Sequence, residues 1–144
     1  MVFKIDGAPK GKGRPRFTRS GHVFTPSDTK QYESRVAELY RDNGGIFLGE
    51  DVPVAIRILA CYPVPKSASK KEKEAKLKGE IACLNKPDVD NVCKIILDGL
   101  NGTAFQDDKQ VVTLEVYKKW AKSGEGAVYV SVHKAPSELG DIWL

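Results

Sequence analysis

Hydrophobic and polar residues alternate along several segments of the chain, and this period of two is the pattern of β-strands. The longest such segment is Val52–Tyr62, which Pro63 and Pro65 bring to an end. Shorter segments predict further strands at Met1–Ile5, His22–Thr25, Val111–Trp120 and Gly126–His133. The glycine-containing turn at residues 123–126 predicts that the last two strands form a hairpin.

A period near 3.6 residues predicts three helices among these strands. The first is capped by Ser27 or Asp28 and runs to about residue 43. The second is short and exposed, and it starts with the capping-box pattern Ser69–Glu72. The third spans Asp90–Leu100. Strands mixed with helices predict a single α/β or α+β domain over residues 1–144, with residues 134–144 as a peripheral tail.

Composition is ordinary for a globular protein, with 41% hydrophobic and 29% charged residues. No stretch approaches the roughly 20 apolar residues of a membrane span, and the amino-terminal residues lack the apolar core of a signal peptide. We therefore expect a cytoplasmic protein without a membrane partner. The three cysteines lack C-x-x-C spacing, which favours reduced thiols over a zinc site.

Positive charge is concentrated in two segments, although the net charge is only +4. The first is a Gly- and Pro-rich loop, whose candidates for contact with DNA phosphates are Lys10, Lys12, Arg14, Arg16 and Arg19. A solvated surface is the alternative for this loop. The second covers residues 66–78 and is more typical of a solvated helix than of a binding face. Clustered bases favour a polyanion partner, most often nucleic acid.

Negative charge is concentrated between residues 88 and 108, which contain five aspartates and no glutamate. Asp88, Asp90 and Asn91 stand at the start of the third helix, and Asp107 and Asp108 precede the strand at residue 111. Carboxylate oxygens suit Mg²⁺ or Mn²⁺ better than zinc. Helix capping by the first group and an ordinary loop role for the second are the alternatives.

The third helix carries two further charged residues in register with Asp90. Lys94 follows Asp90 by four residues and precedes Asp98 by four, so the three side chains share one helix face. A lysine there can neutralise a phosphate oxygen or hold a water, and Asp98 can hold its ammonium in place. A surface ion pair is the alternative. Cation, oriented water and ammonium together would suit metal-assisted phosphodiester hydrolysis.

This acidic run resembles the motif of the RusA family of Holliday-junction resolvases, which are bacterial and prophage endonucleases. The resemblance covers residues 1 to about 120 and includes residues 11–16, which look like the amino-terminal segment of prophage-type members. It implies a mixed β-sheet flanked by helices, a homodimer, and Mg²⁺-dependent cleavage of four-way DNA junctions.

Carried over position by position, the resemblance implies that Asp88, Asp90 and Asp108 are the metal-binding acids and that Lys94 is the catalytic lysine. The supporting positions are Asn91, Asp98 and Asp107. We therefore expect a structure-selective endonuclease of DNA recombination and repair that resolves junctions by paired symmetric nicks. It would use Mg²⁺, with Mn²⁺ as a substitute. A non-catalytic junction-binding protein and a metal-dependent nucleotide phosphohydrolase are the alternatives.

Overall fold

A four-stranded mixed sheet lies at the centre of the part of the chain that the computed structural model describes, which is residues 1–13, 16–24 and 26–136. In chain order the strands are β1 (Val2–Asp6), β2 (Arg16–Phe17), β3 (Val23–Phe24), β4 (Val54–Tyr62), β5 (Val111–Trp120) and β6 (Ala127–Lys134). The short strands β2 and β3 pair with each other in a separate two-stranded sheet. The main sheet has the order β1-β6-β4-β5, in which β4 is parallel to β5 and antiparallel to β6.

The predicted hairpin between the last two strands is wrong, because β4 lies between β5 and β6. Ile58 of β4 pairs with Val116 on one side and with Val130 on the other. β4 is apolar at nearly every position and pairs along both edges. Its face towards the helices is buried, whereas Arg57 is exposed and Leu59 and Cys61 are half-buried on the other face. The turn at residues 123–126 reverses the chain, but its composition does not specify which strands become neighbours.

The three predicted helices are present as α1 (Ser27–Asp42), α2 (Lys70–Leu77) and α3 (Val89–Leu100). α1 and α3 pack against each other and, with the sheet, enclose the hydrophobic core. Its fully buried members include Val36, Ile56, Ile58, Ile95 and Ile96. α2 buries none of its residues, as predicted for an exposed helix. The protein therefore has the α+β architecture that the sequence predicts.

The backbones of α1 and α3 approach each other closely at Gly99. A Cβ atom at this position would lie 2.8 Å from Cβ of Val36 and 2.9 Å from the backbone oxygen of Glu33. Only a residue without a side chain allows such an approach. It brings Glu33 of α1 and Asp98 of α3 within reach of one lysine side chain.

The start of α1 differs from the predicted one. Pro26 occupies the N-cap position, and no side chain caps the helix. Asp28 instead forms a salt bridge with Lys10, at 2.8 Å. The predicted cap of α2 is confirmed, because the hydroxyl of Ser69 accepts the backbone N–H of Glu72 at 3.2 Å.

The last strand has the predicted length of eight residues but is shifted by one position, from Gly126–His133 to Ala127–Lys134. β6 continues to Lys134, and the N–H of Ala135 donates to the carbonyl of Pro53 at 2.8 Å. The predicted tail therefore begins later than residue 134, and its residues 137–144 lie outside the described ones.

The thiols of Cys61, Cys83 and Cys93 are free, as predicted. Across the three described ranges, no helix has the combination of length and hydropathy that crossing a membrane requires.

Candidate active site

The start of α3 carries two exposed carboxylates. Asp88 occupies the N-cap position with extended backbone angles, φ −74° and ψ 166°, but its side chain makes no capping hydrogen bond. Asp90 lies in the first turn of the helix. The capping role considered as an alternative is therefore not one that Asp88 performs. Both carboxylates lie near the amino-terminal end of the helix.

Lys94 connects α3 to the 3₁₀ turn Asp108–Gln110, which directly precedes β5. Its Nζ donates to Oδ1 of Asp98 at 3.0 Å, the contact that the spacing of four residues predicts. The same Nζ lies 3.6 Å from Oδ2 of Asp108. The ammonium is thus placed between carboxylates from two separate elements, and 52% of the Lys94 side chain is exposed.

The thiol of Cys93 lies within electrostatic reach of the acids from both elements. Burial raises the pKa of this thiol, and the negative charges of Asp108, Asp90 and Asp98 raise it further, whereas the Lys94 ammonium acts in the opposite direction. Charges shift a pKa in this way only at short range. Asp90 and Asp98 of α3 and Asp108 of the 3₁₀ turn therefore all lie near the Cys93 thiol.

The described residues contain no group of three or more His, Cys, Asp or Glu side chains arranged to hold a metal ion. Asp108, the third predicted ligand, contacts Lys94 instead. The chemistry of Asp88, Asp90 and Asp108 nevertheless fits a hard cation, because Mg²⁺ takes oxygen ligands. Mg²⁺ also keeps several waters and is usually held by one or two carboxylates together with substrate phosphates, so a closed protein cage is not required.

Three side chains of β4 and β5 hold the segment that leads into α3. Each donates to a backbone carbonyl of that segment: Trp120 Nε1 to Ile81 at 3.0 Å, Lys118 Nζ to Asn85, and the Tyr62 hydroxyl to Pro87. Sequence reasoning missed these contacts, because they join segments that are distant along the chain. They fix the position of the residues immediately before Asp88.

Tyr62 also lies close to the first acid of the site. Burial raises the pKa of Tyr62 to about 12, and the negative charge of Asp88 acts in the same direction. Its hydroxyl therefore stays protonated at neutral pH and remains a donor to the carbonyl of Pro87.

Gln110, which is 7% exposed, anchors the turn that carries Asp108. Its Oε1 accepts the N–H groups of Gln106 and Asp107 at 2.9 and 3.1 Å, while its Nε2 donates to the carbonyls of Gly49 and Val52 at 2.8 and 3.0 Å. All four bonds go to backbone atoms, so this side chain supplies hydrogen-bond partners that a helix or sheet would otherwise provide to the loop backbone.

Asp107 takes part in the same local structure. Its carboxylate accepts the N–H of Lys109 at 2.9 Å and forms a capping box with Gln110. An ordinary loop role was the alternative considered for Asp107 and Asp108. Asp107 has that role, whereas the carboxylate of Asp108 is directed towards Lys94.

The basic loop does not behave as one surface. Lys10 pairs with Asp28, and Lys12 forms salt bridges with Glu33 and, at 2.9 Å, with Asp98. Arg19 is exposed. Arg14 lies outside the described residues, and the Arg16 side chain is also outside them.

Opposite charges within this network support each other. Burial by itself lowers the pKa of the Lys12 ammonium, but its bonds with Glu33 and Asp98 outweigh that effect, and the net pKa is raised. Burial likewise raises the pKa of the Asp98 carboxyl, yet Lys12 and Lys94 outweigh it, and the net pKa is lowered. The hydrogen bond with Asp98 raises the pKa of Lys94. All three groups are therefore charged at neutral pH.

Known proteins include relatives of this chain. The model of the family described as "Endodeoxyribonuclease RusA" matches residues 6–133. An uncharacterised protein of Bacillus subtilis (strain 168), YqaN, is 39% identical over 130 residues, which cover 85% of this chain and 89% of that protein. The matched region contains all three helices and the main sheet, except residues 2–5 of β1 and Lys134 of β6. The chain therefore belongs to the RusA family of endodeoxyribonucleases.

Proposed function

We propose that this protein is a Mg²⁺-dependent, structure-selective endonuclease that resolves four-way DNA junctions by paired symmetric nicks. It would act in DNA recombination and repair, in the cytoplasm. The single observation that supports this most is the position of the Lys94 ammonium between the carboxylates of Asp98 and Asp108. Membership of a family of endodeoxyribonucleases supplies the chemical class.

Each charged residue of the site has a role in this proposal. Asp88, Asp90 and Asp108 would hold the cation, which when bound supplies Lewis-acid activation of water and neutralises phosphate charge. Asp108 lies 3.6 Å from Nζ of Lys94, which is longer than an ordinary hydrogen bond. Such a contact costs little to break, so the Asp108 side chain can rotate towards the cation.

Lys94 would act as the cationic partner of the scissile phosphate. An ammonium carries three N–H donors, and Asp98 accepts one of them at 3.0 Å. The remaining donors are available for phosphate oxygens as charge develops on them. Interactions that strengthen in the transition state are the ones that accelerate the reaction.

Contacts with the DNA backbone would come from basic residues. Lys10, Arg14, Arg16 and Arg19 remain our candidates from the amino-terminal loop, and α2 offers a lysine-rich helix without buried residues close to the segment that leads into α3. Such contacts would make junction binding weaken steeply with salt.

A homodimer is part of the proposal. A four-way junction has two-fold symmetry, so a C₂ dimer presents one site to each of two strands. Sedimentation of the free protein tests this directly, since a monomer at concentrations that resolve junctions would contradict it.

The experiment that tests the function uses a labelled mobile four-way junction, incubated with and without Mg²⁺, with the nicks mapped on all four strands. Paired symmetric nicks that require the cation are expected. Junction binding without any product would indicate a binding protein, and turnover of free nucleotides with salt-insensitive DNA affinity would indicate a phosphohydrolase.

The site is tested by Asp90→Asn, with Asp42→Asn at the exposed end of α1 as the matched control. Loss of one ligand should reduce nicking by about a hundredfold or more and leave junction binding in place. The control should nick like the unmodified protein. Nicking by Asp90→Asn at the normal rate would contradict the assignment.

A further inference from the structure

We propose that Lys12 is a positioning residue for Lys94, which it orients through the shared carboxylate of Asp98, and that it does not contact DNA. This rests on the proposed function, because the role of Lys94 is taken from there. The sequence alone places Lys12 among the residues that bind phosphate, so the structure moves it from the DNA surface to the interior of the site.

One carboxylate connects the two lysines. Oδ2 of Asp98 lies 2.9 Å from Nζ of Lys12, and Oδ1 lies 3.0 Å from Nζ of Lys94. Because each oxygen serves a different ammonium, the position of Lys12 determines how Asp98 presents its other oxygen. A shift of Lys12 therefore shifts the contact that holds Lys94.

The two lysines that Asp98 connects differ in their exposure to solvent. The side chains of Lys12 and Asp98 are only 21% and 19% exposed, and that of Glu33, the second partner of Lys12, is 20% exposed. Lys94 is 52% exposed. Shielding from water strengthens the pairs at the Lys12 end, whereas Lys94 stays accessible to a ligand. Lys12 is anchored, and Lys94 is the end that can reach phosphate.

The backbone around Lys12 is docked against both helices. The N–H of Lys12 donates to the carbonyl of Asn91 on α3 at 3.0 Å, and the N–H of Gly13 donates to Oγ1 of Thr29 on α1 at 3.3 Å. The segment therefore crosses from α3 to α1, and its lysine points between the two helices towards Asp98 and Glu33.

Glycine on each side of Lys12 makes this docking possible. A Cβ on Gly11 would lie 2.8 Å from Cβ of Pro87, and one on Gly13 would lie 2.5 Å from Oγ1 of Thr29. Distances this short are not tolerated between such atoms. The Gly-Lys-Gly pattern suggests a flexible loop, but here the two glycines allow the backbone to pack closely against both helices. This packing fixes the position of the Lys12 side chain.

Removal of the Lys12 charge has a defined consequence. Asp98 loses the cation that neutralises part of its charge, and both of its oxygens become available to Lys94. The Lys94 ammonium would then be held closer to Asp98 and farther from the phosphate. A misplacement of about 1 Å can cost about a hundredfold in rate, so the chemical step is affected while DNA binding is not.

The test compares Lys12→Met with Lys4→Met, a matched change at an exposed ion pair on β1. For Lys12→Met we expect single-turnover nicking to fall about ten- to a hundredfold, with the junction Kd in the absence of Mg²⁺ and its salt dependence unchanged. Lys4→Met should change neither. A Lys12→Met protein that nicks normally but loses about one unit of salt slope would show a phosphate contact and overturn the proposal.

A double-mutant cycle with Asp98→Asn separates positioning from a general structural effect. If Lys12 acts through Asp98, the two changes together should cost little more than the larger one alone. Multiplied effects would contradict the proposal. Should Lys12→Met fail to fold, Lys12→Gln removes the charge and keeps a donor for Asp98, and Lys12→Arg should restore part of the rate.

A measurement that needs no activity distinguishes failure of this inference from failure of the proposed function. The Lys94 ammonium can be observed by heteronuclear NMR and assigned with Lys94→Arg. Lys12→Met should displace its signal, whereas Lys4→Met should not. If the Lys94 signal does not move in Lys12→Met, the coupling between the two lysines is overturned, whether or not the protein cleaves junctions. If the signal moves but the unmodified protein cleaves no junction, only the proposed function is contradicted.

Discussion

Lys94 of α3 lies 3.6 Å from the carboxylate of Asp108, which belongs to the 3₁₀ turn before β5. This contact joins the two halves of the acidic run, because Asp90 lies in the same helix as Lys94 and Asp88 is the N-cap of that helix. The helix and the turn are each held by their own contacts. The Tyr62 hydroxyl donates to the carbonyl of Pro87, just before α3, and the Gln110 side chain bonds the backbone around the turn. The proposed site therefore lies where two independently supported elements meet.

Replacement of Lys94 by methionine should remove most of the catalytic rate. The apolar side chain keeps the stem and loses the ammonium that would stabilise charge on the phosphate, which predicts a loss of about a hundred- to a thousandfold. Single-turnover nicking at saturating protein measures it, with Lys122→Met on an exposed turn as control. Binding of the junction without Mg²⁺ should stay within about threefold. A normal rate would show that Lys94 is only structural.

Gly99→Ala should destabilise the fold. Its Cβ would meet Val36 and the backbone of Glu33, so α1 must move away from α3, at a cost of about 1–3 kcal/mol in the free energy of unfolding. Urea denaturation measures this cost. Val36→Ala makes room for the new methyl group, so the double variant should be less destabilised than the sum of the two single changes. Strict additivity would contradict the close approach.

Gln110→Leu should destabilise the protein and weaken nicking together. The apolar side chain leaves two N–H groups and two carbonyls without the partners they have in the folded protein, which predicts a loss of at least about 1–3 kcal/mol. Nicking should fall because the turn that carries Asp108 loosens. Urea unfolding and single-turnover assays at a temperature where the variant stays folded measure the two effects. Unchanged stability would be inconsistent with the four bonds.

Asp98 should make the stability of the protein depend on acid pH. Lys12 and Lys94 lower the pKa of this carboxyl in the folded state, although burial opposes them. In the unfolded chain it should return to about 3.9. The unfolded state therefore binds the proton first, and the stabilisation present at neutral pH is lost as pH falls from about 5 through the folded pKa.

This pH dependence is measured by comparing the unmodified protein with Asp98→Asn in urea at a series of pH values. The stability difference between them should be largest at neutral pH and should shrink below about pH 4, because the variant cannot titrate at this position. Lys12 and Lys94 keep their charge throughout that range. A difference that stays constant down to pH 2 would show that the ion pairs do not stabilise the fold.

Local spacing determined much of this protein before any tertiary contact was known. The hydrophobic periods predicted the four strands of the main sheet and the three helices, but not β2, which lies in the segment expected to be a loop. The four-residue spacing of Lys94 and Asp98 predicted their ion pair. These features depend on residues that are near one another along the chain. The regular geometry of one helix or one strand is then enough to place them.

Tertiary packing decided the remainder. The insertion of β4 between β5 and β6, the four backbone bonds of Gln110 and the burial of Lys12 between Glu33 and Asp98 all join residues that are far apart in sequence. A lysine beside two glycines has the composition of a flexible, DNA-binding loop. Only the close packing of α1 and α3 shows that its charge is used inside the protein, because burial and partner choice follow from packing and are not encoded in local spacing.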